Sequence, residues 1–398
     1  MPSRKPNSRT RPTPARLPRT PEAILAELVA IPSVAPDTDP DVAPRGERAL
    51  GDWIASYLRR LGADVSLVPA IGDRCNLIAR FTPSGRARVR CAFMPHLDTV
   101  GVTGMTVPPF TLTRGVGGRL HGRGACDTKG PTASLLSALH RFSQSRDARS
   151  DIEWIVAATV GEEAGALGAE ALMASGFRAD FAIALEPTGR KVVHAAKGVL
   201  RVAITVPGRA AHGATPERGT NAIFAALPLL NALRDEFAPA LARRRHPDLG
   251  PPTMNLGRIN GGTQINIVPD ACELQLDLRC PPNVSRADVL AELRALVRRL
   301  APKAKLRELR WGPAFSTDKT NPWVTALHRC GTGWDTAHWY SDANVVASHG
   351  IPAVAFGPGH IRQAHTRDEW ISRRELDAGA DAFLRFLSSP PTFAKVRG

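Results

Sequence analysis

No stretch of this 398-residue chain holds an uninterrupted apolar run long enough to span a bilayer, so the sequence offers no transmembrane helix. The N-terminus has basic residues but lacks the apolar core of a secretory signal. None of the six cysteines (Cys75, Cys91, Cys126, Cys272, Cys280 and Cys330) belongs to a C-x-x-C pair. Their wide spacing fits reduced thiols in a cytoplasmic enzyme and argues against a disulfide framework. Acids are missing from residues 1–20, which carry six Lys/Arg, and six prolines in the first 21 residues oppose an amphipathic targeting helix. Residues 1–19 therefore read as a disordered basic arm. Internal repeats are also lacking.

What is present is the composition of an ordinary soluble protein: 43% hydrophobic and 22% charged residues are enough to bury a full core. The length suits two domains, or one domain carrying an insertion. The net charge of +15 invites a nucleic-acid reading, but removing the six arm cations leaves +9 on the rest. A moderately basic body suits an anionic substrate or simply reflects arginine-rich coding, and neither requires nucleic acid or a membrane surface.

Ordered structure is predicted to begin at Thr20-Pro21-Glu22, an N-cap followed by proline at the first helical position. A second helix is expected from about Arg45 to Leu61, closed by Gly62. Apolar runs at Val89–Met94, Trp154–Val160, Phe181–Leu185 and Ile351–Phe356 read as strands, with a helix at Pro131–Phe142. Such alternation predicts an α/β sheet, flanked by helices, with functional residues at its carboxyl edge. From about Gly198 to Arg310 the rhythm changes. Strands are expected at Leu200–Val206, Met254–Ile259, Glu273–Arg279 and Lys305–Trp311. Helices follow the caps Thr220 (running to about Asp235) and Ser285 with Asp288 (running to Leu300). That order, β-α-β-β-α-β, predicts an inserted split-βαβ domain. The expected organisation is thus an arm (1–19), a two-part catalytic domain (20–197 and 313–398) and an insertion (198–312).

Five motifs then carry acids and imidazoles in series. They are Met94-Pro-His-Leu-Asp-Thr99, Gly122-Arg-Gly-Ala-Cys-Asp-Thr-Lys-Gly130, Val160-Gly-Glu-Glu-Ala-Gly165, Leu185-Glu-Pro-Thr188 and Gly357-Pro-Gly-His-Ile-Arg-Gln-Ala-His-Thr-Arg-Asp-Glu369. Singly, each has an ordinary reading: loop polar residues for His96 and Asp98, a helix cap for Asp127, solvated acids for Glu162 and Glu163. As a set they describe a two-metal hydrolase. His96 and Asp98 at i and i+2 project from one side after a strand, so one ring nitrogen can meet a metal while the carboxylate holds the other. Glu162 and Glu163 point apart at a strand end, one suited to a cation and the other to a proton. Glu186 and His365 also follow strands. Two divalent cations are balanced by Asp127, Glu163, Glu186 and one hydroxide, as a poorly solvated site requires. Oxygen and nitrogen donors without thiolate suit Zn²⁺, Co²⁺ or Mn²⁺.

These motifs, in this order over about residues 20–390, resemble the M20 metallopeptidases, which include acetylornithine deacetylases, succinyl-diaminopimelate desuccinylases and bacterial glutamate carboxypeptidases. The resemblance implies that His96 and Glu186 bind one metal, Glu163 and His365 the other, and Asp127 both. It implies two Zn²⁺ per subunit, with Co²⁺ possible. Glu162 would be the general base acting on a bridging water, and Asp98 the partner of His96. It further implies a cis peptide at Asp127–Thr128 and makes the insertion a lid and dimerisation domain. There His212, in Gly208-Arg-Ala-Ala-His212-Gly, would stabilise the oxyanion in a partner subunit. Asn266 and Arg279 match substrate-gripping positions. Of the remaining histidines, His194 and His360 are the only near-site candidates. The Gly357–Glu369 loop and the Cys126 beside Asp127 resemble the acetylornithine deacetylase branch. The expectation is therefore a cytoplasmic homodimer cleaving the amide of an N-acyl amino acid, with a dipeptidase or carboxypeptidase as the alternative. Its partners would be a small-molecule N-acyl amino acid or short peptide, with no nucleic acid and no membrane.

Overall fold

In the computed structural model, residues 17–36, 46–83, 87, 89–145 and 151–391 are described. The expected arm lies outside the described residues over 1–16, as does Arg45 at the expected start of the second helix.

The described chain forms two compact units. The first takes the described residues up to His194, then Thr317–Asp335 and the described residues from Ser341 onward; the second takes Ala195–Ser316 and Thr336–Tyr340. In the first unit, Thr20 accepts the Ala23 N–H at 3.3 Å and Pro21 opens α1 (Pro21–Val29). Then follow α2 (Gly46–Arg60), β1 (Asp64–Ile71), β2 (Arg74–Phe81), β3 (Val89–Met94), β4 (Thr113–Arg114), β5 (Arg119–His121), α3 (Lys129–Ser143), β6 (Ile152–Ala158), α4 (Leu167–Ala174), β7 (Phe181–Ala184) and β8 (Lys191–Ala196).

The second unit contains β9 (Gly198–Pro207), α5 (Ala222–Ala232), α6 (Ala238–Ala242), β10 (Thr253–Gly261), β11 (Ala271–Cys280), α7 (Arg286–Leu300), β12 (Lys305–Gly312) and β13 (Phe315–Ser316). Its antiparallel sheet runs β10-β11-β9-β12. Strict alternation buries Cys272, Leu274, Leu276, Leu278 and Cys280 on the helix-facing side of β11, against Leu229, Leu293 and Val297. The cap of α5 is Asn221, not Thr220: the Asn221 side chain accepts the N–H groups of Ile223 and Phe224, while Thr220 pairs its backbone with Arg209. Asparagine at i and i+2/i+3 closes this turn better than the β-branched threonine one residue earlier. A π turn over Leu233–Phe237 then carries the helical run past Asp235 to α6.

The chain then gives α8 (Pro322–Cys330), β14 (Gly333–Ala337), α9 (Asp342–Ser348), β15 (Ala353–Ala355), β16 (Trp370–Ser372) and α10 (Arg373–Ser388). Seven of the nine strands of the large sheet lie in the order β1-β2-β6-β3-β7-β15-β8, and β13 and β14 both pair with β8. Within it β6, β3, β7 and β15 are mutually parallel, whereas β1, β2 and β8 run antiparallel to their neighbours. It is a mixed sheet flanked by helices, and its four parallel strands are nearly continuous runs of buried residues, as sheets covered on both faces are. A small sheet, β16-β5-β4, stands apart from it. Aromatic rings of β3, β6, α8 and α10 fill one side: Phe93 lies 5.9 Å from Trp154 and from Phe383, and 6.1 Å from Phe386, centroid to centroid.

Phe93 is fully buried at the centre of that cluster. Replacing Phe93 with Ala should lower the unfolding free energy by about 3–5 kcal/mol. Urea denaturation at constant m-value measures this; a loss under about 1 kcal/mol would mean the cluster relaxes to fill the void.

Candidate metal centre

Because β6, β3, β7 and β15 are parallel, their carboxyl ends share one edge of the sheet, where ligands gather in such folds. His96 stands two residues beyond β3, Glu162 and Glu163 follow β6, Glu186 follows β7, and His365 lies on the connection after β15. Asp127 reaches them from the loop before α3. That loop needs its glycines. Gly124 has φ +78°, and a Cβ there would come within 2.8 Å of Thr99; a Cβ on Gly130 would meet the Ala125 carbonyl at 2.3 Å. The Asp127–Thr128 peptide is cis, and His365 holds φ 55°, a left-handed conformation rare outside glycine.

These side chains converge. Ligand atoms of His96, Asp127 and Glu163 all lie within 4.8 Å of one another. His96 Nε2 is 3.0 Å from Asp127 Oδ1, and His365 Nε2 is 3.0 Å from Glu163 Oε1 and 3.4 Å from Asp127 Oδ2. Asp127 thus stands between two imidazoles. Glu186, buried, is close enough for its charge to couple with those of Asp127 and Glu163. Asp98 does more than its sequence reading assigned. His96 Nδ1 lies 2.9 Å from the Asp98 backbone carbonyl and 3.5 Å from the carboxylate. The carboxylate itself accepts the N–H groups of Glu162 at 3.0 Å and Glu163 at 2.9 Å. Asp98 therefore fixes the Glu162–Glu163 turn as well as facing the imidazole.

The electrostatics show what such crowding costs. Burial pushes Glu186 well above the usual carboxylate range, with Asp127 adding to it. Burial likewise raises Glu162 well above that range, against the pull of His96. Glu163 is raised by burial too, partly offset by its bond to His365. Burial works against ionisation of Asp127, yet its bonds to His365 and His96 outweigh it and hold the acid below its usual value. Its bonds to Asp127 and then to Glu163 lift His365 to about 10. Burial disfavours the His96 imidazolium, but Asp127 and Asp98 still hold its pKa well above normal. The two imidazoles thus take up positive charge that the carboxylates demand. An oxygen-and-nitrogen donor set with this excess of acids fits divalent cations.

The other expected site residues, His212, Asn266 and Arg279, belong to the second unit. His212 is exposed and bridges to Ile267, and the Asn266 carbonyl accepts the Gly213 N–H at 2.7 Å, so His212 and Asn266 are neighbours. His212 Nδ1 accepts the Ala214 N–H at 3.1 Å, which places the ring proton on Nε2. Arg279 is engaged: Nε donates to Asp277 Oδ1 at 2.7 Å, and Arg201 shares the same carboxylate. In the first unit His360 packs its ring against Gly189, and its carbonyl faces Cys126 Sγ at 3.6 Å; His194 stands edge-on to Trp334.

Three buried acids around the centre were given no role by the sequence reading. Glu47 accepts the Gly161 N–H at 2.9 Å and pairs with Arg74 at 2.8 Å. Glu369 accepts several N–H groups of the Asp127 loop. Asp342, at the start of α9, accepts the Thr159 hydroxyl at 2.5 Å, while its Oδ1 has no hydrogen-bond partner. Glu369 stood inside a recognised motif, but its spacing says nothing of its direction; Asp342 after Ser341 reads simply as a helix start.

Comparison with known proteins finds matches to both parts of the chain. Residues 194–305 match the family described as "Peptidase dimerisation domain", and residues 76–193 match "Peptidase family M28". The chain is 32% identical over 368 residues to an acetylornithine deacetylase of Proteus mirabilis, covering 87% of this chain and 91% of that one. It is 32% identical over 367 residues to another from Myxococcus xanthus, covering 89% and 93%. An M20 metallo-carboxypeptidase from Sulfolobus solfataricus superposes with TM-score 0.77 at 18% identity, covering 92% of this chain and 98% of that one. A dinuclear metal-binding M20 peptidase from Bacillus subtilis gives 0.68 at 15%, covering 92% and 96%. The fold and site define a metal-dependent hydrolase. The chain belongs to the M20 family of metallopeptidases. No helix among the described residues is long and apolar enough to cross a membrane.

Burial raises the Asp342 carboxyl from the usual 3.8 to about 6, against its bond from Thr159. An acid that holds its proton more tightly when folded stabilises the fold fully below its unfolded pKa and loses that contribution as pH rises through the folded one. In metal-stripped protein, Asp342→Asn should therefore be more stable than wild type at pH 8 by about 1–3 kcal/mol, the gap narrowing towards pH 5. Urea midpoints at the two pH values measure it; a difference independent of pH would contradict the buried-acid account.

Proposed function

We propose that the protein hydrolyses the amide bond of an N-acyl amino acid, in the manner of an acetylornithine deacetylase. The observation carrying this reading is the division of labour between adjacent acids. Glu163 is bound by His365, whereas among the described residues no side chain hydrogen-bonds the half-buried Glu162 carboxylate beside it. One acid is committed to the centre and the other is left for proton transfer. The substrate class follows the two relatives at 32% identity, both named acetylornithine deacetylase.

In this reading His96 and Glu186 would hold one divalent ion, Glu163 and His365 the second, and Asp127 would contact both, two Zn²⁺ per subunit with Co²⁺ able to replace them. When bound, such ions polarise a scissile carbonyl and lower the pKa of water. Glu162 accepts the proton of the attacking water and delivers it to the departing amine. Its burial, which favours the protonated form, suits it to carry that proton between the two steps. Asp98 keeps the Glu162–Glu163 turn fixed while the proton moves.

For the second unit the reading is a lid and dimerisation domain, spanning about residues 198–312 between catalytic segments 20–197 and 313–398. His212, protonated on Nε2, would donate to the substrate oxyanion in a partner subunit. Asn266 and Arg279 would contact the substrate; Arg279 would do so by exchanging Asp277 for a substrate carboxylate. The protein would act as a cytoplasmic homodimer on small molecules, with neither nucleic acid nor membrane as partner. Six free cysteines, five of them buried, fit that compartment.

Turnover of N-acetyl-ornithine, N-succinyl-diaminopimelate and a dipeptide panel by Zn²⁺- or Co²⁺-loaded protein, with chelated protein as control, tests the proposal. Metal-dependent cleavage of the N-acyl amino acids supports it; cleavage of dipeptides alone would make the protein a dipeptidase or carboxypeptidase using the same site. Glu162→Ala should reduce kcat by at least about 10²–10⁴ while leaving metal content nearly unchanged. Near-wild-type turnover in that variant would remove Glu162 from the mechanism.

A further inference from the structure

The segment that delivers His365 also reaches back to the loop that delivers Asp127. Four residues after His365, Glu369 enters β16, where Trp370 pairs with His121 of β5 and the Glu369 carbonyl accepts the Gly122 N–H at 3.2 Å. This brings a side chain only 1% exposed against residues 123–127. Its Oε1 accepts the N–H groups of Cys126 and Asp127, each at 2.8 Å. Its Oε2 accepts the Gly124 N–H at 2.8 Å and Arg123 Nη1 at 3.0 Å. A carboxylate offers about four acceptor sites, and here four donors from one loop meet it. Arg123, buried as well, supplies the opposite charge and donates to the Thr366 carbonyl at 3.3 Å. The two segments are therefore tied in both directions. The neighbouring Asp368 grips a different stretch, accepting the N–H groups of Thr106 and Val107 and the Thr106 hydroxyl.

We infer that Glu369 is a positioning residue for the metal centre. By holding the N–H groups of Gly124, Cys126 and Asp127, it sets the Asp127 carboxylate between His96 and His365 and so controls how tightly the centre keeps its divalent ions. This rests on the metal-binding reading given above. The charge is necessary as well as the shape: a glutamine would present one acceptor oxygen and an NH₂ group to a cluster composed wholly of donors. A buried donor left facing another donor forfeits its hydrogen bond. The loop would then move, and Asp127 with it.

Competition between Co²⁺-loaded full-length protein and a chelator, together with the visible Co²⁺ spectrum, provides the test without reference to activity. Glu369→Gln should weaken metal retention by about ten- to a hundredfold and alter the visible bands, as loss of a group orienting a ligand does. Asp368→Asn, which loosens residues 106–107 but none of the donors around Asp127, should stay within about twofold of wild type. Wild type that binds no Co²⁺ would overturn the metal-centre reading itself. Wild-type affinity and spectrum in Glu369→Gln would overturn this inference alone, and so would an equal loss in Asp368→Asn. Should Glu369→Gln fail to fold, Arg123→Lys decides. It keeps the three N–H bonds but loosens the hold on Oε2, and about a threefold loss of affinity is expected; unchanged retention and spectrum would overturn the inference.

Discussion

Buried carboxylates that bind backbone N–H groups are the interaction on which this site depends. Along residues 160–163, Asn76 takes the first N–H, Glu47 the second, and Asp98 the next two. Around Asp127, Glu369 takes three more. A loop has no ladder to fix it, and its N–H groups must be paired with something if they are removed from water. Pairing them with ionised acids gives bonds roughly twice as strong as neutral ones. The loops bearing Glu162, Glu163 and Asp127 are thereby held by side chains where a strand would be held by its ladder.

That choice has an electrostatic consequence. Every acid used to hold a loop adds negative charge near acids that must themselves stay ionised to bind cations. Arg74 offsets Glu47 and Arg123 offsets Glu369, each at about salt-bridge distance. No such cation accompanies Glu162, Glu186 or Asp342 among the described residues, and these are acids whose protons are held most firmly by burial. Glu47 and Glu369 are neutralised by arginine and Asp98 faces His96, while the central acids have, among the described residues, only imidazoles beside them. Charge balance thus separates supporting groups from working groups at a sheet edge where all of them are buried or half-buried.

Much of this was legible in the sequence, for definite reasons. The apolar runs of β3, β6, β7 and β15 are buried on both faces, so they stand out without alternation, and the residues after each run are the ones brought together. The second unit was legible because β11 alternates strictly and Ser285 caps α7. The hairpin of β1 and β2, the small sheet and α10 were not singled out; β1 is mostly solvent-facing and gives little hydrophobic signal. The direction of a side chain was the other blind spot. Spacing placed Asp98 beside His96 correctly, but not the turn of its carboxylate towards two backbone N–H groups. For Arg279 a strand-end salt bridge stood open beside substrate binding, and Asp277, two residues away on the same face of the same strand, is the partner that engages it.

The same limit explains which residues a motif reveals. The proposed ligands come from different segments, yet His96 and Glu186 lie two residues past a strand end and the others stand in short runs of polar and glycine residues, so short motifs capture them. A supporting acid has no such constraint: Glu47 sits on α2, 114 positions from the Gly161 it holds, and Glu369 is 242 positions from Asp127. Nothing local marks either as more than a helix-surface or strand-end acid. What marks them in three dimensions is burial together with backbone donors far away in sequence, a combination that costs stability unless the charge is needed where it stands. In this fold it is needed, because two loops with little ladder of their own must present carboxylates to one point.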